Sequence, residues 1–248
     1  MKCYEIGKAG APRIAFVAPA CLGWWAMAPL SNCFRAQALC TLVELGSNGG
    51  GARFESVAAA ARALAVESER VGGFAACVGV GLGGAVALEA ALERASFAQT
   101  LVVGDVLCVK EPGAGASAAL TAATWPLARH KRYARRLATS WGLSAAMVPE
   151  LQKAAGIVGR QEARAQLAAE VAWRIPGDSA ALKAPVVVAA SQLAGATYTK
   201  SAQALVERVP HARLEKLPEV SQGEAFMRAP ARVAELITGA LTRVGYTF

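Results

Sequence analysis

The chain has 248 residues, 54% of them apolar and 18% charged, with a formal net charge of +8. That composition excludes a disordered chain, and the length suits one large α/β domain or two small ones. No run of about 18 apolar residues occurs, which excludes a membrane-spanning helix, and "MKCYEIGKAGAPR" has no apolar core of a secretory signal, so a cytoplasmic location is expected. Six cysteines (Cys3, Cys21, Cys33, Cys40, Cys77 and Cys108) are scattered without a C-x-x-C pair or a histidine-rich companion. They read as reduced core thiols, and neither a metal site nor a cofactor is expected.

Taken in chain order, the first strand expected is "RIAFVAP" (13–19), followed by the bulky loop "ACLGWWAMAPL". "ALCTLVEL" is a second strand, ending at the turn "GSNGGGAR", and "FESVAAAARALAVESER" is an Ala-rich helix. The third strand, "FAACVGV", runs into a glycine turn, "GGAVALEAALERA" is a helix, and "AQTLVVGD" is the fourth strand. From about Glu111 to Ile175 the signals are helical only: "TAATWPLARHKRYARRLATSW", "SAAMVPELQKAAGIV" and "RQEARAQLAAEVAWRI". Strand character returns in "APVVVAAS" and "ARLEKLPE", with helices "TKSAQALVERV" between them and "APARVAELITGALTRV" at the end. Strands alternating with helices predict a mainly parallel sheet covered on both faces.

The turn Gly79-Val80-Gly81-Leu82-Gly83-Gly84 admits two readings. As G-x-G-x-x-G after a strand it could cradle the pyrophosphate of an NAD(P)-type dinucleotide, with Asp105, 21 residues after Gly84, on the ribose. Such a unit normally opens its domain and continues into a third βα repeat, whereas here two strands precede it and a long helical block follows. The other reading is the sharp strand-to-helix turn that carries the nucleophile of an α/β-hydrolase, with glycine in place of serine.

The chain resembles the α/β-hydrolase superfamily over nearly its whole length. "RIAFVAPACLGWWAMAPL" resembles the first core strand and oxyanion loop, and "CTLVELGSNGGGARF" the next strand and its loop. "VGVGLGG" resembles the nucleophile elbow, and the region from "LKAPVVVAAS" to the C-terminus resembles the closing strand–helix–strand–helix pattern. The resemblance implies an α/β-hydrolase fold, with a mainly parallel central sheet, helices on both faces and a helical cap. It implies a core of residues 1–112 and 178–248 and a cap of residues 113–177. Carried over residue by residue, the nucleophile falls on Gly81, the acid on or next to Ala194 and the base on Gln222. None of the three can perform its role, because glycine has no side chain, alanine cannot orient a base and an amide has no useful proton affinity.

The two histidines, His130 and His211, fall outside the expected site. Pro19 removes a backbone donor from the oxyanion loop. The expected outcome is a catalytically silent member of the fold that binds a hydrophobic small molecule or a protein partner. Its pocket is expected near Ala20, Cys21, Trp24 or Trp25, Leu82, Ser191, Ser221 and Gln222, with Trp125, Met147 and Trp173 as further lining candidates. A hydrolase or lyase with non-standard residues is the alternative, using Cys21 as nucleophile, Asp105 or a bound water; without a nearby base or cation Cys21 is expected to stay mostly protonated. The cluster Arg129, Lys131, Arg132, Arg135 and Arg136 could dock an acidic partner, but no nucleic-acid module accompanies it and nucleic acid is not expected.

Overall fold

The computed structural model describes residues 1–47 and 52–247, so the turn "GSNGGGAR" lies partly outside the described residues. Seven strands form one sheet: β1 (Lys2–Gly7), β2 (Arg13–Val17), β3 (Leu39–Glu44), β4 (Ala76–Val80), β5 (Leu101–Gly104), β6 (Val186–Ser191) and β7 (Ala212–Leu217). Their order is β1-β3-β2-β4-β5-β6-β7. Every neighbouring pair is parallel except β1 on β3, which is antiparallel. β4, β5 and β6 are buried at every position, so they read as continuous apolar runs, as strands covered on both faces must.

The strand order places the helices. From β2 the chain steps one way to β3 through α1 (Ala28–Asn32), then back across β2 to β4 through α2 (Val57–Arg70). Right-handed crossovers in opposite directions put α1 and α2 on opposite faces. α3 (Leu82–Glu93) packs beside α2, while α10 (Ala231–Arg243), which follows the short α9 (Glu224–Met227), packs with α1 across β4, β5 and β6. α8 (Ala196–Arg208) covers β6 and β7. α2 opens on Ser56, whose hydroxyl accepts the Ala59 N–H at 3.1 Å.

Between β5 and β6 the described chain has four helices, α4 (Ala114–Thr124), α5 (Lys131–Ser140), α6 (Val148–Ile157) and α7 (Arg160–Ala172). The segment expected as one helix, "TAATWPLARHKRYARRLATSW", is three pieces: the end of α4, a 3-10 turn over Trp125–Arg129, and α5. Pro126 sits at the start of that turn, where it cannot donate into a continuing helix. Trp125 is fully buried, donates to the Val158 carbonyl at 2.9 Å and stacks on Trp141, forming a small aromatic core for these helices. β1 was not expected. As a half-exposed edge strand it carries no apolar run to announce it. No helix among the described residues is long and apolar enough to cross a membrane.

Candidate functional site

In a sheet of this order, ligands bind beyond the carboxyl ends of the strands at the point where the connections diverge. That point lies between β2 and β4, and the main cavity opens there, with a volume of about 450 Å³. Its floor is built from Pro19 and Ala20 after β2, Val80 and Gly81 at the end of β4, and Gln222 and Gly223 after β7. α4, α7 and Trp141 close it from above.

Gly81 forms the apex of the β4–α3 turn, at φ 54°, ψ −121°. This is the strained strand-to-helix geometry of a nucleophile elbow, costly for any residue with a Cβ. The flanking glycines answer to close packing. A Cβ on Gly83 would stand 2.5 Å from the Val17 carbonyl oxygen, and one on Gly84 2.5 Å from Val106. A Cβ on Gly81 would run into Oε1 of Glu170. The space above Gly81 is therefore bordered by a carboxyl group from α7.

Glu170 belongs to a polar stripe. Glu162, Gln166 and Glu170 recur every four residues and so share one face of α7. Glu162 accepts the N–H groups of Ser47 (2.8 Å) and Phe54 (3.2 Å) beyond β3, and the Ser47 hydroxyl. Gln166 accepts the Cys21 N–H at 2.7 Å and donates to the Leu45 carbonyl at 3.0 Å. Glu170 accepts the N–H of Leu82, the donor that follows the apex of the elbow. Burial pushes the Glu170 carboxyl up to about 7, and the Leu82 hydrogen bond opposes that rise.

The expected site residues are placed as follows. Gly81, Ala20 and Gln222 line the cavity together. Ala194 is half-buried, in a short turn after β6, and is not among the described lining residues. Leu82 is buried beneath the elbow and meets Glu170 through its N–H. Cys21 is fully buried at φ 63°, and its thiol contacts the Ala163 carbonyl. Burial first, then the charges of Glu170 and Glu162, raise that thiol well above its ordinary range. Trp24 lies at the surface, tilted against Tyr4, with its N–H on Glu44. Ser191 donates through both N–H and hydroxyl to Asp105, and Ser221 does the same to Glu224. Trp125, Met147 and Trp173 are buried in packing, and Trp173 donates to Glu89 at 2.8 Å. The tryptophan that does line the cavity is Trp141.

Asp105 follows β5 at φ 48° and also accepts the Gly223 N–H at 2.7 Å. It ties the loop after β7 to the end of β6 and thereby positions Gln222. Burial raises its carboxyl while the bonds from Gly223 and Ser191 oppose the rise. On the cavity side, the Gln222 side chain hydrogen-bonds the Tyr198 hydroxyl. Burial, then the charges of Glu170, Asp105 and Glu111, push that phenol far above its usual range. His211 lies at the opposite, amino end of the parallel strands, where its carbonyl accepts the Val186 N–H, and His130 precedes α5.

Glu170, Tyr198 and Trp141 were not expected from the sequence. Only Glu170 left a signal there, in the four-residue spacing of "EARAQLAAE".

The sequence matches no family model and no curated protein. Solved structures do match across the whole chain. MGS-M2, an α/β hydrolase enzyme from a Medee basin deep-sea metagenome library, aligns over 100% of this chain and 96% of its own, with TM-score 0.78 and 14% identity. A thermophilic esterase from Thermogutta terrifontis aligns over 99% and 94%, with TM-score 0.75 and 16% identity. The enol-lactonase from Burkholderia xenovorans LB400 aligns over 97% and 96%, with TM-score 0.75 and 14% identity. The chain has the α/β-hydrolase fold.

Proposed function

We propose that this chain of α/β-hydrolase fold binds a hydrophobic small molecule in the cavity beneath Trp141 and does not hydrolyse esters or amides through a catalytic triad. The observation that carries the reading is the Glu170 carboxyl at the elbow. It stands against Gly81, where a nucleophile side chain would project, and takes the Leu82 N–H that would otherwise stabilise a developing oxyanion. The residues at the triad positions agree with this: Gly81, Ala194 and Gln222 supply no nucleophile, no orienting carboxylate and no base. Asp105 has no histidine to orient and is engaged by Ser191 and Gly223.

The alternatives are less well supported. A buried thiol held protonated does not make Cys21 a nucleophile. A pyrophosphate on the glycine turn would face the Glu170 carboxyl instead of open backbone donors. The small-molecule reading takes precedence over a protein partner because a cavity of about 450 Å³ is the size of a ligand pocket.

Two readouts test the proposal. A neutral apolar dye is expected to bind saturably, and Ala118→Trp, which fills the cavity from α4, is expected to abolish that binding. Short-chain aryl esters are expected to show no turnover. Turnover that disappears in Glu170→Gln would instead assign Glu170 as an acid or base.

A further inference from the structure

We propose that the occupant of this cavity carries a cationic head, a protonated amine or a quaternary ammonium, on an apolar body, with Glu170 and Glu111 as its counter-charges and Trp141 and Tyr198 as aromatic walls. This rests on the cavity-binding reading above and names the class of ligand.

The charge distribution carries the inference. The chain has 26 Lys and Arg residues against 18 Asp and Glu. Yet among the described residues lining the cavity there is no lysine, arginine or histidine, and the charged ones are Glu111 and Glu170. A basic protein has thus placed only acidic charged side chains in this pocket, whereas the second cavity, about 410 Å³ at the amino ends of β6 and β7, is lined by His211, Arg213 and Arg243.

An anionic ligand would be repelled there. A neutral one would leave Glu170 buried with only a backbone N–H to meet its charge. The titratable groups around Glu170 offer no relief. Its charge acts on Cys21 on the β2 loop and Tyr198 on α8, Asp105 and Glu111 after β5 act on Tyr198 in turn, and Glu162 lies two turns back along α7; none is a cation. A carboxyl pushed up to about 7 by burial is the signature of a missing counter-charge, and a bound cation would restore its ionised form.

The walls suit the same head group. Trp141 is backed by Trp125 with ring centroids 5.8 Å apart and an interplanar angle of 19°, which fixes the plane of its ring. Tyr198 is held by Gln222. Both rings line the cavity together with Glu111 and Glu170. Desolvated aromatic faces attract ammonium groups, and alkylated ones best tolerate losing their water. The remaining lining, including Leu22, Leu107, Leu167 and Met227, suits the apolar body.

The test uses three probes with one tail: 4-phenylbutylamine, 4-phenylbutan-1-ol and 4-phenylbutyrate, titrated calorimetrically into the intact chain at pH 7.5. The amine is expected to bind about tenfold more tightly than the alcohol, with the carboxylate weakest. Glu170→Gln should bring the amine to within about twofold of the alcohol. Should that variant fail to fold, Glu111→Gln is expected to weaken the amine alone by about threefold.

Alcohol or carboxylate binding as tight as the amine's on the unaltered chain would overturn the cationic inference and leave the cavity reading standing. Saturable binding by none of the three probes would overturn both.

Discussion

A Cβ at position 81 would run into the Glu170 carboxyl, so a substitution at either residue is felt through the other. Gly81→Ser must adopt φ 54° with a side chain and displace Glu170, and should cost about 1–3 kcal/mol. In a background of Glu170→Ala the clash is gone and only the backbone cost remains. A double-mutant cycle by urea unfolding should therefore give a coupling energy of about 1 kcal/mol or more, and additive losses would refute the contact.

The ionisation of Glu170 makes a separate prediction. Its carboxyl pKa rises from 4.5 in the unfolded chain to about 7 in the folded one. Between those values the folded state holds a proton that the unfolded state has lost, so stability falls as pH rises through that window. The group's full penalty, ~3 kcal/mol at most, is present above pH 7 and absent below pH 4.5. Glu170→Gln keeps an acceptor for the Leu82 N–H but does not titrate. Relative to the unaltered chain it should gain stability between pH 5 and pH 8. A difference independent of pH would contradict the assignment.

At the scale of the element, α7 acts as a polar plug over the carboxyl ends of β2, β3 and β4. Gln166 is fully buried and serves two backbone groups on different loops, at Cys21 and Leu45. Gln166→Ala removes the acceptor of one and the donor of the other, and should destabilise by about 2–4 kcal/mol. Arg164→Ala, on the exposed side of the same helix, should change stability by less than about 0.5 kcal/mol. Equal effects in chemical unfolding would mean that the stripe carries no special role.

The stripe was visible in the sequence as spacing, but its direction was not. Polar residues on an Ala-rich helix ordinarily face solvent, and only the packing of α7 against the elbow turns these three inward. Trp141 was equally silent, because one tryptophan among five carries no mark of which cavity it faces.

For the whole molecule, the mainly parallel sheet and its alternation with helices were largely readable from the apolar runs, and from the likeness of "VGVGLGG" to an elbow. Gly81 does adopt the elbow's strained backbone, which a sequence can suggest and only coordinates can display. β1 escaped notice because an edge strand with one exposed face has no continuous apolar run. The carboxyl group at the elbow escaped it for a different reason. It comes from a helix some ninety positions along the chain, and contacts at that separation leave no local pattern.

The basic cluster also divides in three dimensions. All five stay exposed, with Lys131, Arg132, Arg135 and Arg136 on α5, and Arg129 also donates to the Ala155 carbonyl at 3.1 Å near the end of α6. The positive charge is thus displayed on the helical cap while the cavity beneath it is acidic.

The most direct measurement of the central claim is the hydrolysis of p-nitrophenyl acetate and butyrate by the purified chain, with and without Ala118→Trp. The expected rate equals that of buffer containing the unfolded chain, linear in ester concentration and indifferent to the substitution. A saturable rate above that background, lost when the cavity is filled, would contradict it.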